Sequence, residues 1–263
     1  MPRLLPWLLL VAVLCAHRPA AAAPPRAGYR SSPRKPGPYL RDLRRVERLR
    51  GYRPPAGSRL TARLYQPADF QPVGGDPWQR RLRVPLGSSI TLELETRYVP
   101  GDRASHVTRL ELVKPGRRRS LIPAGVSVRL SDQNSFAWYN NAVLWKGPRS
   151  RMELLKLFHE LGHAHSFGNR SAAQQEHYTV QLSKLFGPEL TPAAQTFNVG
   201  EERFAWAQAL RTMRQLRREG FDLFAGIPRR QIMSEIYSQR ALGSYYLQGG
   251  AERVNPLIRE LAR

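Results

Sequence analysis

Apolar positions along this chain follow three different periods in succession. From Leu4 to Cys15 they run almost unbroken, behind the positive start Met1-Pro2-Arg3 and ahead of the small residues Ala20-Ala21-Ala22-Ala23. That order is the pattern of a secretory signal peptide, and the run is shorter than the roughly 20 apolar residues a permanent span requires. A leader of residues 1–22 or 1–23 is expected, the shorter one keeping Pro24 away from the scissile bond. From Ser58 to Trp145 the period is two, as in Ile90-Thr91-Leu92-Glu93-Leu94-Glu95 and Val107-Thr108-Arg109-Leu110-Glu111-Leu112. Alternation of this kind predicts strands with one buried face. Pro115-Gly116 then reads as the turn of a hairpin returning through Ser120-Leu121-Ile122, and Val126–Leu130 and Phe136–Trp145 add two further strands. Glu93 and Glu95, beside Arg109 and Arg129, are expected on a solvated outer face.

Beyond Gly147 the period becomes helical. Ser150 followed by Glu153 forms a capping box, and the apolar residues from Met152 to Leu161 then cover most of the circumference, so this helix belongs in an interior. It should end near Gly168-Asn169. Ser171 with Gln174 caps a second helix, whose core contacts are Tyr178, Leu182, Leu185 and Phe186. A third is expected to open at Gly200 and run from Glu201 to Glu219, a fourth to start at Pro228 with Ile232, Ile236 and Tyr237, and a short fifth to follow Asn255-Pro256. Strands first and helices afterwards predict an α+β fold, a mostly antiparallel N-terminal sheet packed with a C-terminal helical core, without internal repeats. The expected divisions are the leader, a Pro/Arg-rich arm over 24–57, a β-rich region over 58–135 and a helical region over 136–263.

Charge changes the picture only locally. The net charge of +22 comes from 42 Lys and Arg against 20 Asp and Glu, yet only five of the basic residues are Lys. An arginine excess of this kind is also what a GC-rich coding bias produces. Between Pro24 and Arg59 eleven basic residues face only Asp42 and Glu47, a net of +9. Such an arm is a generic anion binder, suited to an anionic envelope surface, and a secretory leader argues against intracellular nucleic acid as its partner. Within it, Leu40, Leu43, Val46 and Leu49 form an apolar stripe over Tyr39–Arg50, a short helix for which docking on the protein's own domain outweighs membrane attachment. Cys15 is the only cysteine and falls in the leader, so a metal in the mature chain would have to be held by His, Glu or Asp.

The chemistry is concentrated in His159-Glu160-Leu161-Gly162-His163. Residues four apart share a helix face, so His159 and His163 can offer both imidazoles to one Zn²⁺ while Glu160 acts as general base toward a water. Two histidines do not complete a zinc site. The metzincin pattern fails, with Ser166 and Asn169 where Gly and His would stand. His165 points about 200° from His163 on the helix. His177 on the next helix and the pair Glu201 and Glu202 remain as candidates.

H-E-L-G-H followed some forty residues later by a helical glutamate resembles the gluzincin class of zinc metallopeptidases, and the size is similar to compact members related to the ImmA/IrrE family. The resemblance covers roughly residues 136 to 215. It implies that the third ligand precedes an aromatic-Ala pair, here Trp206-Ala207, which places it on Glu202 with Glu201 as the neighbouring alternative. It further implies a hydrolase acting on peptide or protein substrates, with an edge strand in Phe136–Trp145 lining the cleft, and the leader pattern adds the expectation of a secreted or periplasmic location. Tyr237, His177 and Tyr245-Tyr246 are the candidate oxyanion donors. A zinc ion that only fastens helices together, and a basic envelope- or nucleic-acid-binding protein, are the alternatives.

Overall fold

Leu82, Leu94 and Leu110 face one another across three neighbouring strands, and Val84, Leu92 and Leu112 form the next row, each at most 1% exposed. These rows organise the sheet, because burying each such side chain contributes about 1.5–3 kcal/mol and a one-residue slip of any of the three strands would turn its two members outward. The structure, a computed structural model, describes residues 57–87, 89–186 and 191–238, together with 44, 45, 48, 49 and 52. The leader, the arm over 24–38, Tyr245-Tyr246 and the fifth helix lie outside the described residues.

Eight strands make up the sheet: β1 (Gln71–Val73), β2 (Asp76–Gly87), β3 (Ile90–Val99), β4 (Ala104–Lys114), β5 (Arg117–Ser120), β6 (Ser127–Leu130), β7 (Ser135–Ala137) and β8 (Ala142–Trp145). Their order is β1-β2-β3-β4-β6-β8-β7, with β5 paired to β4, and every pairing is antiparallel except β6 with β8. Phe136–Trp145 is therefore two strands and not one. Trp138–Asn140 forms a 3₁₀ turn closed by Asn141 at φ 47°, a left-handed conformation that asparagine tolerates, and of these two strands β7 ends the described sheet while β8 lies inside it.

On the outer face, Arg81, Arg83, Arg109 and Arg118 interleave with Glu93, Glu95 and Glu111. Glu93 is buried beneath its arginines and not solvated as expected, and Arg129 pairs instead with Asp102 at 3.7 Å.

Among the described residues four helices follow: α1 (Arg151–Gly168), α2 (Ala172–Phe186), α3 (Pro192–Arg218) and α4 (Arg229–Ile236), giving an α+β fold. One apolar cluster joins them to the sheet, running from Leu82 and Leu94 through Trp145 and Leu155 to Trp206 and Ile236. Polar contacts fasten α1 to the sheet. Trp145 Nε1 donates to the Glu153 carbonyl at 2.8 Å, and the Arg151 guanidinium donates to the carbonyls of Leu86 (2.5 Å) and Leu223 (2.9 Å).

Half of the expected box caps α1. Glu153 N donates to Ser150 Oγ at 3.3 Å, but the Glu153 carboxylate is drawn away by Asn134 and Lys156. On α2 both halves form between Ser171 and Gln174. α3 begins eight residues before the expected Gly200, because Thr191 caps it by accepting from Ala194 N and Pro192 occupies its first position. Gly200 costs the helix about 1 kcal/mol relative to Ala without ending it. Arg44, Arg45, Arg48 and Leu49 are helical. Leu49 packs against the core and Arg45 donates to Tyr237 Oη at 3.1 Å, which is docking on the protein's own domain. No helix among the described residues is long and apolar enough to cross a membrane.

Candidate metal centre

Helices α1 and α3 cross where neither carries bulk. A Cβ placed on Gly162 would stand 2.7 Å from the Ala205 carbonyl oxygen and 2.8 Å from its Cα, so glycine here sets how closely the helices approach. That approach brings Glu202 against the two imidazoles presented by one face of α1. Glu202 Oε2 lies 3.2 Å from His159 Nε2, Glu202 Oε1 3.3 Å from His163 Nε2, and the two Nε2 atoms are 3.2 Å apart. Glu160 Oε1 stands 4.0 Å from His159 Nε2. All four side chains are buried.

These spacings fit a shared cation. Donors about 2.0–2.1 Å from a tetrahedral ion are separated from one another by roughly 3.3 Å. The charges fit as well, since two carboxylates in an apolar interior call for a compensating positive charge. One donor atom from each of His159, Glu160 and His163 lies within 4.8 Å of the others, so the cluster could hold a metal ion. Burial alone would raise the Glu202 carboxyl, but the imidazoles beside it outweigh that and hold it well below the usual carboxylate range. Burial likewise opposes the charged form of His163, and the adjacent Glu202 overcomes it and shifts the imidazole upward. Glu160 goes the other way: burial raises its carboxyl, and the nearby imidazoles offset only part of that.

The ring nitrogens turned to the cluster are both Nε2. Among the described residues His159 Nδ1 and His163 Nδ1 have no hydrogen-bond partner, so none of these residues aligns either ring in the usual way, by a hydrogen bond to its second nitrogen. His159 is instead aligned by Trp206, stacked on it at 4.1 Å and 28°.

Of the two neighbouring glutamates only Glu202 meets the histidines. Glu201 accepts from Ser166 Oγ at 2.9 Å and from Arg170 Nη2 at 2.5 Å, and Arg170 lies over the Tyr178 ring at 4.7 Å. These contacts fix the rotation of α3 about its axis, and with it the direction of Glu202. Sequence reasoning did not find Ser166 or Arg170. Their signal was weak, a serine on the motif helix and an arginine in the connection after it, and their partner is distant in the chain.

The other predicted residues fall elsewhere. His165 is exposed and stacks on Phe204, and His177 is exposed on α2 with its ring against Phe197. Tyr237 is buried at the end of α4, where it meets Arg45. Edge strand β7 packs on the motif helix, Phe136 meeting Phe167 edge to face at 5.8 Å. Comparison of the chain with protein-family models, with curated proteins and with solved structures found no match in any of the three.

Proposed function

We propose that this protein is a zinc-dependent peptidase of gluzincin type, in which His159, His163 and Glu202 hold the metal and Glu160 is the general base. The observation that carries the reading is the convergence of two imidazole Nε2 atoms with a carboxylate from a separate helix at 3.2–3.3 Å. A bound Zn²⁺ would supply Lewis acidity at the substrate carbonyl and make an adjacent water a nucleophile near neutral pH.

Glu160 would take up a proton from that water and pass it to the nitrogen of the departing amine, and burial raises its carboxyl in the direction that favours holding a proton. The unpaired side of β7, beside α1, offers main-chain groups that can align an extended peptide by strand addition. Secretion or periplasmic location follows from the leader pattern, and the Arg-rich arm would provide attachment to an anionic envelope surface.

One observation favours a second reading. Each Glu202 oxygen faces a different imidazole, which makes a closed set of four donors, as in a zinc site that only fastens helices together. The test separates the two. Purified protein is assayed for stoichiometric zinc and for cleavage of a quenched peptide library, alongside Glu160→Gln. The peptidase reading expects zinc in both proteins and cleavage only by the first. Zinc in both with cleavage by neither assigns the structural role, and protein that takes up no zinc refutes both readings.

A further inference from the structure

A pocket of about 750 Å³ opens beside the first turn of α1. Glu153, on its wall, precedes His159 by six residues, about 9 Å of helix rise, so the pocket is separate from the histidine cluster. Its floor is apolar: Tyr65 and Phe70 meet edge to face at 5.6 Å, with Leu130 beside them. Its rim is cationic, formed by Arg63, Lys146 and Arg149.

Two of these cations lie beside Tyr65. Arg63 Nε donates to the Tyr65 carbonyl at 2.9 Å, and the Arg149 guanidinium lies near enough to the Tyr65 hydroxyl to offset part of the rise that burial imposes on it. Among the described residues no carboxylate forms an ion pair with any of the three. Glu153, the acid on the pocket wall, has its oxygens taken by Asn134 at 2.7 Å and Lys156 at 3.1 Å.

The segment that carries Lys146 and Arg149 is also held in place. Gly147 adopts φ 77°, and a Cβ there would stand 3.1 Å from Tyr65 Oη. Lys146 N donates to Asn134 Oδ1 at 3.1 Å, Arg149 N to the Gly147 carbonyl at 2.9 Å, and Leu64 N to the Arg149 carbonyl at 2.9 Å. A backbone fixed in this way before a ligand arrives lowers the entropy cost of binding.

We propose that this pocket binds a small organic anion, a carboxylate or phosphate carried on an apolar body, with the charge among Lys146, Arg149 and Arg63 and the body on Tyr65, Phe70 and Leu130. Three like charges held around one concavity repel one another, and an anion relieves that repulsion. Guanidinium forks match carboxylate and phosphate oxygens two at a time. The apolar floor gives the site a preference that a flat basic surface lacks. This proposal is independent of the peptidase reading.

The full chain is titrated calorimetrically with phenyl phosphate, 3-phenylpropionate and the neutral 3-phenylpropanol. Saturable one-site binding by at least one of the two anions is expected, at least tenfold tighter than the alcohol, and the tighter anion names the head group. The Lys146→Ala/Arg149→Ala variant, with its melting temperature unchanged, should bind at least tenfold more weakly. A control variant, Arg80→Gln/Arg211→Gln, removes the same charge from exposed positions elsewhere and should bind as the parent does. The proposal is overturned if neither anion saturates, if the alcohol binds equally well, or if the control variant loses as much affinity as the pocket variant.

Discussion

Replacing Gly162 with alanine tests the helix crossing on which the candidate centre depends. Alanine is the better helix former, so at an unconstrained position the change would stabilise α1 by about 1 kcal/mol. At this one the new Cβ arrives 2.7 Å from the Ala205 oxygen and 2.8 Å from its Cα, where relaxed carbon contacts need about 3.5–4.0 Å. α1 and α3 must therefore part by roughly 1 Å, and overpacking of this kind costs about 1–3 kcal/mol. Glu202 rides on the displaced helix three residues before Ala205. Metal–donor distances tolerate only about 0.2 Å, so a displacement of this size would take the carboxylate out of the proposed ligand set. The expected result is a metal-free protein that melts several degrees lower and binds zinc at least tenfold more weakly in a chelator competition. Unchanged zinc affinity together with an unchanged or higher melting temperature would show that the crossing does not set the geometry of the centre.

Two further outcomes follow from the contacts around the centre and on the sheet. Glu202→Gln should abolish zinc binding, whereas Glu201→Gln or Arg170→Met should weaken it by roughly 10–100-fold, since these residues only orient the helix that carries the ligand; equal losses in chelator competition would contradict the division of roles between the two glutamates. In the folded state Glu111 is held below the ordinary glutamate range chiefly by its hydrogen bond from Arg109, and Glu93 is held there as well, because Arg118, Arg83 and Arg109 outweigh the opposing effect of burial. Groups with depressed values stabilise the fold above their unfolded pKa of about 4.3, and that stabilisation is lost as pH falls toward the folded values. The difference in melting temperature between the parent and Glu93→Gln should therefore shrink on acidification from about pH 5 to 3, and a difference that grows would reverse the sign of the coupling.

Much of this architecture was legible where local and tertiary preferences agree. The strands around Leu92 and Leu110 alternate cleanly, and α1 announces itself through Ser150 and an apolar circumference that ends up buried, as its composition requires. β2 was harder to see as one strand of twelve residues. Leu82, Val84 and Leu86 keep the period, but Pro77, Pro85 and three arginines obscure it, and Pro85 is accommodated only because the register shifts beside it. The start of α3 lies ahead of Gly200 because the Thr191 cap and Pro192 nucleate the helix and a single interior glycine does not end it. The histidine pair could be read from spacing alone, since both members lie on one helix. The orientation of Glu202 could not, because it depends on Ser166 and Arg170 holding its neighbour from another part of the chain.

Arg151 carries a consequence for how the molecule comes apart. Its single guanidinium ties the end of β2 to the loop after α3, through two carbonyls that have no side chains to mutate. Lysine would offer its donors from a single nitrogen, whereas Arg151 reaches the two oxygens from two separate nitrogens, Nε and Nη2. Neither layer can peel away while that cross-tie survives. In hydrogen exchange the amides flanking Leu86 and Leu223 should thus be released together, in one cooperative opening, and not strand first and helix later.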